Sequence, residues 1–381
     1  MIYGYKYEPL INRVPTWIDR RYQIQGFDTD NLYPQRAKET RDRSYTLKSA
    51  CDRYSEFING EGFTNPLFAG MTVNRKGHTA NDWLDHLAKS LSWANGVFIH
   101  VGYNLNYKVN STKIIDFEFN RFGIPDNEGD FYCIKYCNNW ENNPYKNPTS
   151  VMEIVDYNVF NPDPEVVKAE IEMAGGILNY KGQIFYWTPE EGQYPKATFD
   201  TVFDQAQTQA HIGTFDLSME QNGFRGGHAM IVPKMESDPE RRAFDEKLQD
   251  FTTVGGGAGS VLVMEQTGGE PIDASKIIVP LQMQNTDGLH VNVDKRVRNA
   301  IRTAFGMPPE IIGELPENGM FNKQQIEDAY IYYNSLTRNT RNIAQRIAKK
   351  IFTHWQAPVT DDYSIIPQKY MIETQSLGTN G

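Results

Sequence analysis

Cysteine is scarce in this chain: Cys51, Cys133 and Cys137 are all there is in 381 residues. So few give no disulfide framework, and synthesis in a reducing cytoplasm is expected. No stretch approaches the ~18 uninterrupted apolar residues that a membrane helix requires. The N-terminus scatters Tyr, Lys, Glu and Arg and has no apolar signal-peptide core. A nucleotide motif is missing as well. Gly255-Gly256-Gly257-Ala258-Gly259 lacks the Gly-Lys-Ser/Thr ending, and strand-like residues follow it, so no helix N-terminus faces a phosphate; it reads as a tight turn. The seven histidines are scattered, and no Ser or Cys sits in a nucleophile elbow. Cys133 and Cys137 on one strand face would lie about 13 Å apart, too far to share a tetrahedral ion. Asp116 and Glu118 are two apart on an apparent strand and share a face, as the carboxylates of a metal-dependent nuclease would; an exposed acidic strand face is the commoner explanation. The expectation is a protein without cofactor, metal or catalytic activity.

Aromatic residues are plentiful, at 12% with 21 Tyr and 20 Phe, so the chain is long enough and apolar enough for two or three packed units. The net charge of −10 argues against a broad basic surface for nucleic acid, yet residues 285–355 hold ten Lys/Arg against seven Asp/Glu. Basic charge is concentrated there, and ordinary solvated helix faces are the competing explanation.

The periodicity predicts a mixture of helices and strands, an α+β protein. One helix is expected over Pro34–Ile58, with Ala37, Ala50, Tyr54 and Phe57 facing inward and Gly60 stopping it. A second covers Thr79–Asn95. Alternating runs at Val97–Tyr103, Thr112–Phe119, Phe131–Cys137, Met152–Tyr157 and Gln183–Thr188 form an antiparallel sheet or small barrel. Phe199 to about Gln221 reads as helix. Strands Ala229–Pro233, Ser260–Glu265 and Ile277–Leu281, with a charged helix Asp238–Phe251, make a small insert.

A basic helix, about Asp287–Phe305, then places Val293, Val297, Ile301 and Ala304 on one stripe. Met307-Pro308-Pro309 ends it, because Pro308 pushes Met307 out of the α region and Pro309 has no amide hydrogen. A very long helix starts near Lys323 and runs to about Trp355. Its narrow seam, Ile326, Ala329, Tyr333, Leu336, Thr340, Ile343, Ile347 and Ile351, fits packing against one or two neighbouring helices. Its solvent side is expected to carry Arg338, Arg341, Arg346, Lys349 and Lys350. The two helices around Pro308 are expected to find partners in identical subunits.

The run Ala304-Phe305-Gly306-Met307-Pro308-Pro309-Glu310-Ile311-Ile312-Gly313, followed by a loop and a long helix, resembles tailed-bacteriophage portal proteins of the siphophage or lambdoid type. Asn31-Leu32-Tyr33-Pro34 leading into Phe57-Ile58-Asn59-Gly60, and Asn222-Gly223-Phe224 before an apolar strand, agree with it. The resemblance spans roughly residues 28–355, and order and spacing carry it. It implies a homododecameric ring at one capsid vertex of the virion, assembled in the bacterial host cytoplasm, whose channel passes double-stranded DNA in packaging and ejection. Residues 1–198 would be the wing, 199–223 and 285–306 the stem helices, and 224–284 the clip. Residues 307–322 would be the tunnel loop and 323–355 the long wing helix; 356–381 would be a tail with a short or absent crown.

The resemblance implies further partners: the large terminase, a head-tail adaptor and the major capsid protein, with no membrane. Channel candidates are Lys295, Arg296, Arg298 and Arg302 on the stem, and Asn318, Met320, Phe321 and Lys323 at the loop. Another virion ring, adaptor or minor capsid protein is the alternative; a metal-dependent DNA-processing enzyme using Asp116 and Glu118 is the remaining one.

Overall fold

The computed structural model describes residues 16–126, 129–141, 153–190, 193–222, 228–233, 237, 239, 241–244, 261–266, 278–280, 286–313 and 323–370. The chain divides into two compact units, one of residues 1–203 and 301–381 and the other of 204–300.

The first unit opens with a hairpin, β1 (Thr16–Asp19) against β2 (Ile24–Phe27). The single helix expected over 34–58 is instead two, α1 (Tyr33–Arg43) and α2 (Tyr45–Asn59). Ser44 breaks them by taking an extended conformation. Its hydroxyl accepts from the Leu47 amide at 3.3 Å, an N-cap that starts a new helix in a new direction. The expected inward residues Ala37, Ala50 and Phe57 are buried. A short α3 (Pro66–Ala69) precedes α4 (Ala80–Ala94). Thr79 caps α4 reciprocally with Asp82, and Asn95 ends it in a left-handed conformation.

A six-stranded sheet follows. Its strands are β3 (Val97–Tyr103), β4 (Val109–Ile115), β5 (Asn120–Phe122), β6 (Cys133–Tyr136), β7 (Val155–Val159) and, after helix α5 (Pro164–Met173), β8 (Gln183–Trp187), in the order β4-β3-β8-β7-β6-β5. The expected antiparallel sheet is therefore mixed, because β7 and β8 pair in parallel. The physical reason is α5, a helix additional to those expected. A helix between two strands carries the chain back so that β8 enters in the direction of β7.

In the second unit, β9 (His228–Pro233) is the central strand, parallel to β10 (Val261–Gln266) and antiparallel to β11 (Ile278–Pro280). These match the three strands expected of the insert; the charged helix expected over 238–251 lies mostly outside the described residues. Two helices bracket that sheet in sequence, α6 (Phe203–Asn222) and α7 (Thr286–Ala304).

The chain then returns to the first unit through a four-residue helix, α8 (Pro309–Ile312), and the 30-residue α9 (Lys323–Phe352). The main core gathers Trp83, Leu84, Leu87 and Leu91 of α4 and Val97, Ile99 and Val101 of β3. Ala344, Ile347, Ala348, Ile351 and Phe352 of α9 join them. Phe352 meets the rings of Phe68 and Trp83 edge-on at 4.9 and 5.2 Å. Half of the long helix thus finds its partners within its own chain, against the expectation that its seam is completed by other subunits. Its buried side keeps Ala329, Tyr333, Ile347 and Ile351 of that seam and adds Thr337, Arg341, Ala344 and Ala348, while Leu336 of the seam is 47% exposed. Four-residue steps let the buried stripe drift around the helix, and Thr337 and Arg341 tolerate burial because carbonyl oxygens accept their O–H and N–H groups.

After α9 the chain doubles back as a strap. Glu61 donates its amide to the Ile366 carbonyl at 2.9 Å, Ile366 donates to Gly62 at 3.0 Å, and Thr64 donates to Ser364 at 2.9 Å. Tyr363 and Ile365 enter the core. Gly60 makes this possible. It lies at φ 57 and ψ -143, a region that glycine enters readily. A Cβ there would overlap the Ile366 carbonyl oxygen.

Candidate nucleic-acid-facing helices

Two of the three segments behind the resemblance are junctions with definite physical work. Asn31 has a positive φ. Its side-chain oxygen accepts from the Phe27 amide at 3.1 Å and from Arg121 Nε at 2.6 Å. Tyr33 donates its hydroxyl to Asp200 at 2.7 Å and accepts the Ala197 amide at 3.0 Å. Burial and the Asp200 carboxylate push the Tyr33 phenol well above its ordinary range. Pro34 occupies the first turn of α1, where its missing amide costs nothing. Arg121 holds the junction together: fully buried, it also donates to the carbonyls of Asn31, Glu118 and Asn120 and to Gln35. Its acceptors are all neutral oxygens, and burial pulls its pKa down to about 10.

At the second junction α7 ends as the prolines require. Gly306 turns with a positive φ, Pro308 is extended, and Pro309 opens α8. Phe305, Met307 and Ile311 are buried. The Phe305 ring meets Tyr54 of α2 at 5.7 Å, and the Tyr54 hydroxyl pairs with that of Thr340 on α9 at 2.9 Å. The Met-Pro-Pro turn is therefore clamped between α2 and α9. The third segment, Asn222-Gly223-Phe224, lies beyond the described residues after Asn222.

On α7, Val297 and Ile301 are buried as the stripe requires, but Ala304 is exposed and Phe305 takes its place, at the four-residue spacing that Val293, Val297 and Ile301 already keep. The flank of that stripe carries Lys295, Arg298 and Arg302 at spacings of three and four, which places them in one row. Lys295 and Arg296 are exposed, and Arg302 is half-buried. Arg298 grips Asp294 of its own helix through Nε and Nη2, both at 2.8 Å, while Gln209 of α6 donates to the other Asp294 oxygen at 2.8 Å. That carboxylate thus ties the two helices and neutralises one cation of the row. Lys323 starts α9, with Nζ 3.6 Å from Glu327. Asn318, Met320 and Phe321 lie outside the described residues, as does the Gly255–Gly259 run. Of the segment 307–322 expected to be a loop, 309–312 is helical.

The paired-carboxylate reading does not survive. Asp116 precedes a 3-10 turn, Phe117–Phe119, so Asp116 and Glu118 do not share a strand face, and Glu118 is ion-paired with Lys38 of α1. Cys133 is half-buried on β6 and Cys137 is buried beyond it. Among the described residues no group of three or more His, Cys, Asp or Glu is placed to hold a metal ion. No described helix is long and apolar enough to cross a membrane. Arg341, expected on the solvent side of α9, is instead buried. It donates to the Phe57 carbonyl at 2.7 Å and to the carbonyl and side chain of Asn334 at 2.9 and 3.2 Å.

The fold these elements define is shared with a chain from the neck of a phage-like particle. A chain from the neck of an empty gene transfer agent particle, computed with C6 symmetry, matches with a TM-score of 0.50 and 11% identity, covering 90% of this chain and 85% of that one. A chain from the neck of the native particle, computed with C12 symmetry, gives 0.47 and 11%, over 96% and 88%. An HK97-family phage portal protein from Corynebacterium diphtheriae gives 0.37 and 9%, over 78% and 85%. The resemblance read from the sequence is borne out at the level of fold alone, through the particle-neck chain with the TM-score of 0.50. No protein-family model and no curated protein matches the chain.

Proposed function

We propose that this protein is a portal subunit, a component of a phage-like particle that assembles as a closed ring at one capsid vertex and passes double-stranded DNA through its centre. The single observation behind this reading is the fold shared with the particle-neck chain over nine-tenths of the length. A ring requires a heterologous interface whose rotation closes. The N-terminal half of α9 has a surface suited to that, with Ile331, Tyr332 and Leu336 all well exposed.

The channel row would be Lys295, Arg296, Arg298 and Arg302, with Lys323, Asn318, Met320 and Phe321 at the loop. Duplex DNA carries one charge per about 1.7 Å of axis, and each phosphate neutralised adds affinity through counterion release. A channel that must let DNA slide needs few such contacts, and the pairing of Arg298 with Asp294 reduces them further. The chain's overall negative charge works the same way. The large terminase would supply the motor, a head-tail adaptor would meet the insert of residues 224–284, and the major capsid protein would surround the wing. No catalytic step is assigned to the chain.

The experiment is genome packaging by particles carrying Lys323→Glu, or a deletion within 314–320. Reduced filling with normal ring assembly is expected. Normal filling by both would remove the channel assignment. The second reading, a different virion ring or adaptor, predicts particles whose filling is normal but whose tails fail to join.

A further inference from the structure

The C-terminal third of α9 and the end of β8 enclose a groove of about 930 Å³ in the first unit. One wall is cationic. Arg346, Lys349 and Lys350 line it, and among the described residues none of the three has an ion-pair partner. Elsewhere in the chain Arg36, Lys38, Arg53, Lys89 and Lys135 are paired to carboxylates. Lys349 and Lys350 suit the negative end of a helix dipole. Arg346 stands a turn earlier, outside that explanation. The rest of the lining is largely apolar and includes Phe160, Pro162, Trp187 and Pro189. Lys350 Nζ lies 6.0 Å from the centre of the Phe185 ring on the same side.

We propose that this groove binds a short acidic peptide segment of another protein, one that alternates carboxylate and apolar side chains. Charge complementarity argues for it. In an extended chain, side chains two apart lie on one face about 7 Å apart; Arg346 and Lys350 stand one helical turn apart, about 6 Å along the axis. Alternate carboxylates therefore meet successive cations while the intervening apolar side chains turn to the Phe160–Trp187 wall.

Single-stranded nucleic acid has a similar charge spacing and is the competing ligand, but it draws on stacking against open aromatic faces. Here Phe185 is 7% exposed and Phe160 packs edge-on against it at 5.6 Å, which leaves Tyr186 and Trp187 as half-exposed rings, on adjacent positions of β8 whose side chains alternate sides. A long polyanion would also meet the chain's net charge of −10. A short segment senses chiefly the local patch, because salt screens beyond about 8 Å.

The test is fluorescence anisotropy with a labelled heptapeptide, Glu-Phe-Glu-Leu-Glu-Phe-Glu, titrated with the intact assembled protein. The controls are its Lys-for-Glu counterpart and a labelled ten-nucleotide deoxythymidine strand. Saturable binding of the acidic peptide is expected, weakened about tenfold or more by Arg346→Glu/Lys349→Glu and by the milder Lys349→Ala/Lys350→Ala. The Lys peptide should not bind. The proposal is overturned if the acidic peptide binds both variants as it binds the unaltered protein, or does not saturate. Tighter binding of the deoxythymidine strand would assign the groove to nucleic acid instead. A change in subunit number in either variant, with circular dichroism unaltered, would assign it to a neighbouring copy.

Discussion

Gly60→Ala tests whether the C-terminal strap is a structural member of the first unit. The alanine methyl would strike the Ile366 carbonyl oxygen, and the backbone at Gly60 has a positive φ that L-residues rarely adopt. The backbone cost is of order 1–3 kcal/mol. Displacing the strap also removes the Glu61-to-Ile366 and Ile366-to-Gly62 hydrogen bonds, each contributing about 1 kcal/mol. Gly77 is the control. It too has a positive φ, but a Cβ there meets no atom within 4 Å. Gly60→Ala should therefore exceed Gly77→Ala by about 2 kcal/mol, located at the strap. Hydrogen exchange reads this directly: amides of 61–66 and 362–368 should lose about thirtyfold protection in Gly60→Ala and keep it in Gly77→Ala. Equal losses in those peptides for the two variants would refute the reasoning.

Arg341→Met should destabilise the first unit by about 2–4 kcal/mol, since it strips a donor from the buried Phe57 carbonyl. Arg341→Lys should rescue only part of that loss, because one ammonium cannot reach the Phe57 and Asn334 acceptors as the guanidinium fork does; urea unfolding checks both. Ser44→Ala should cost about 1 kcal/mol by removing the cap of α2, with helix content unchanged by circular dichroism. Asp294→Ala should weaken the tie between α6 and α7 and raise the salt dependence of duplex DNA binding, because the Asp294 ion pair with Arg298 and the Gln209 hydrogen bond to Asp294 are both removed.

The sequence made the capped and punctuated elements legible. The helix over Thr79–Asn95, the Gly60 stop, the Met-Pro-Pro break and the strands of the insert all follow from local rules, and each stands close to where those rules put it. Three features escaped for identifiable reasons. Ser44 lies in a polar stretch with no apolar residue between Ala37 and Tyr45, so periodicity gives no sign of where α1 ends and α2 begins. Helix α5 announces itself by Asp163 as cap and Pro164 in the first turn, a signal that was available and would have explained the parallel strand pair. On α9, polar residues were counted as solvent-facing. Thr337 and Arg341 are buried because their partners, the carbonyls of Tyr333, Asn334 and Phe57, are invisible to any hydrophobic template. The candidate site was legible as a row of cations on α7, but the Asp294 that neutralises one of them belongs to tertiary geometry. The groove beside Arg346 depends on β8, which comes far earlier in the chain than α9.

The central claim is that copies of this chain close into a ring around a passage for DNA. Negative-stain microscopy of the purified full-length protein, with the mass of the native assembly measured on the same sample, tests it most directly. A closed ring of uniform subunit number with an open centre wide enough for duplex DNA is the predicted result. A compact monomer that stays monomeric when mixed with its capsid proteins would contradict it.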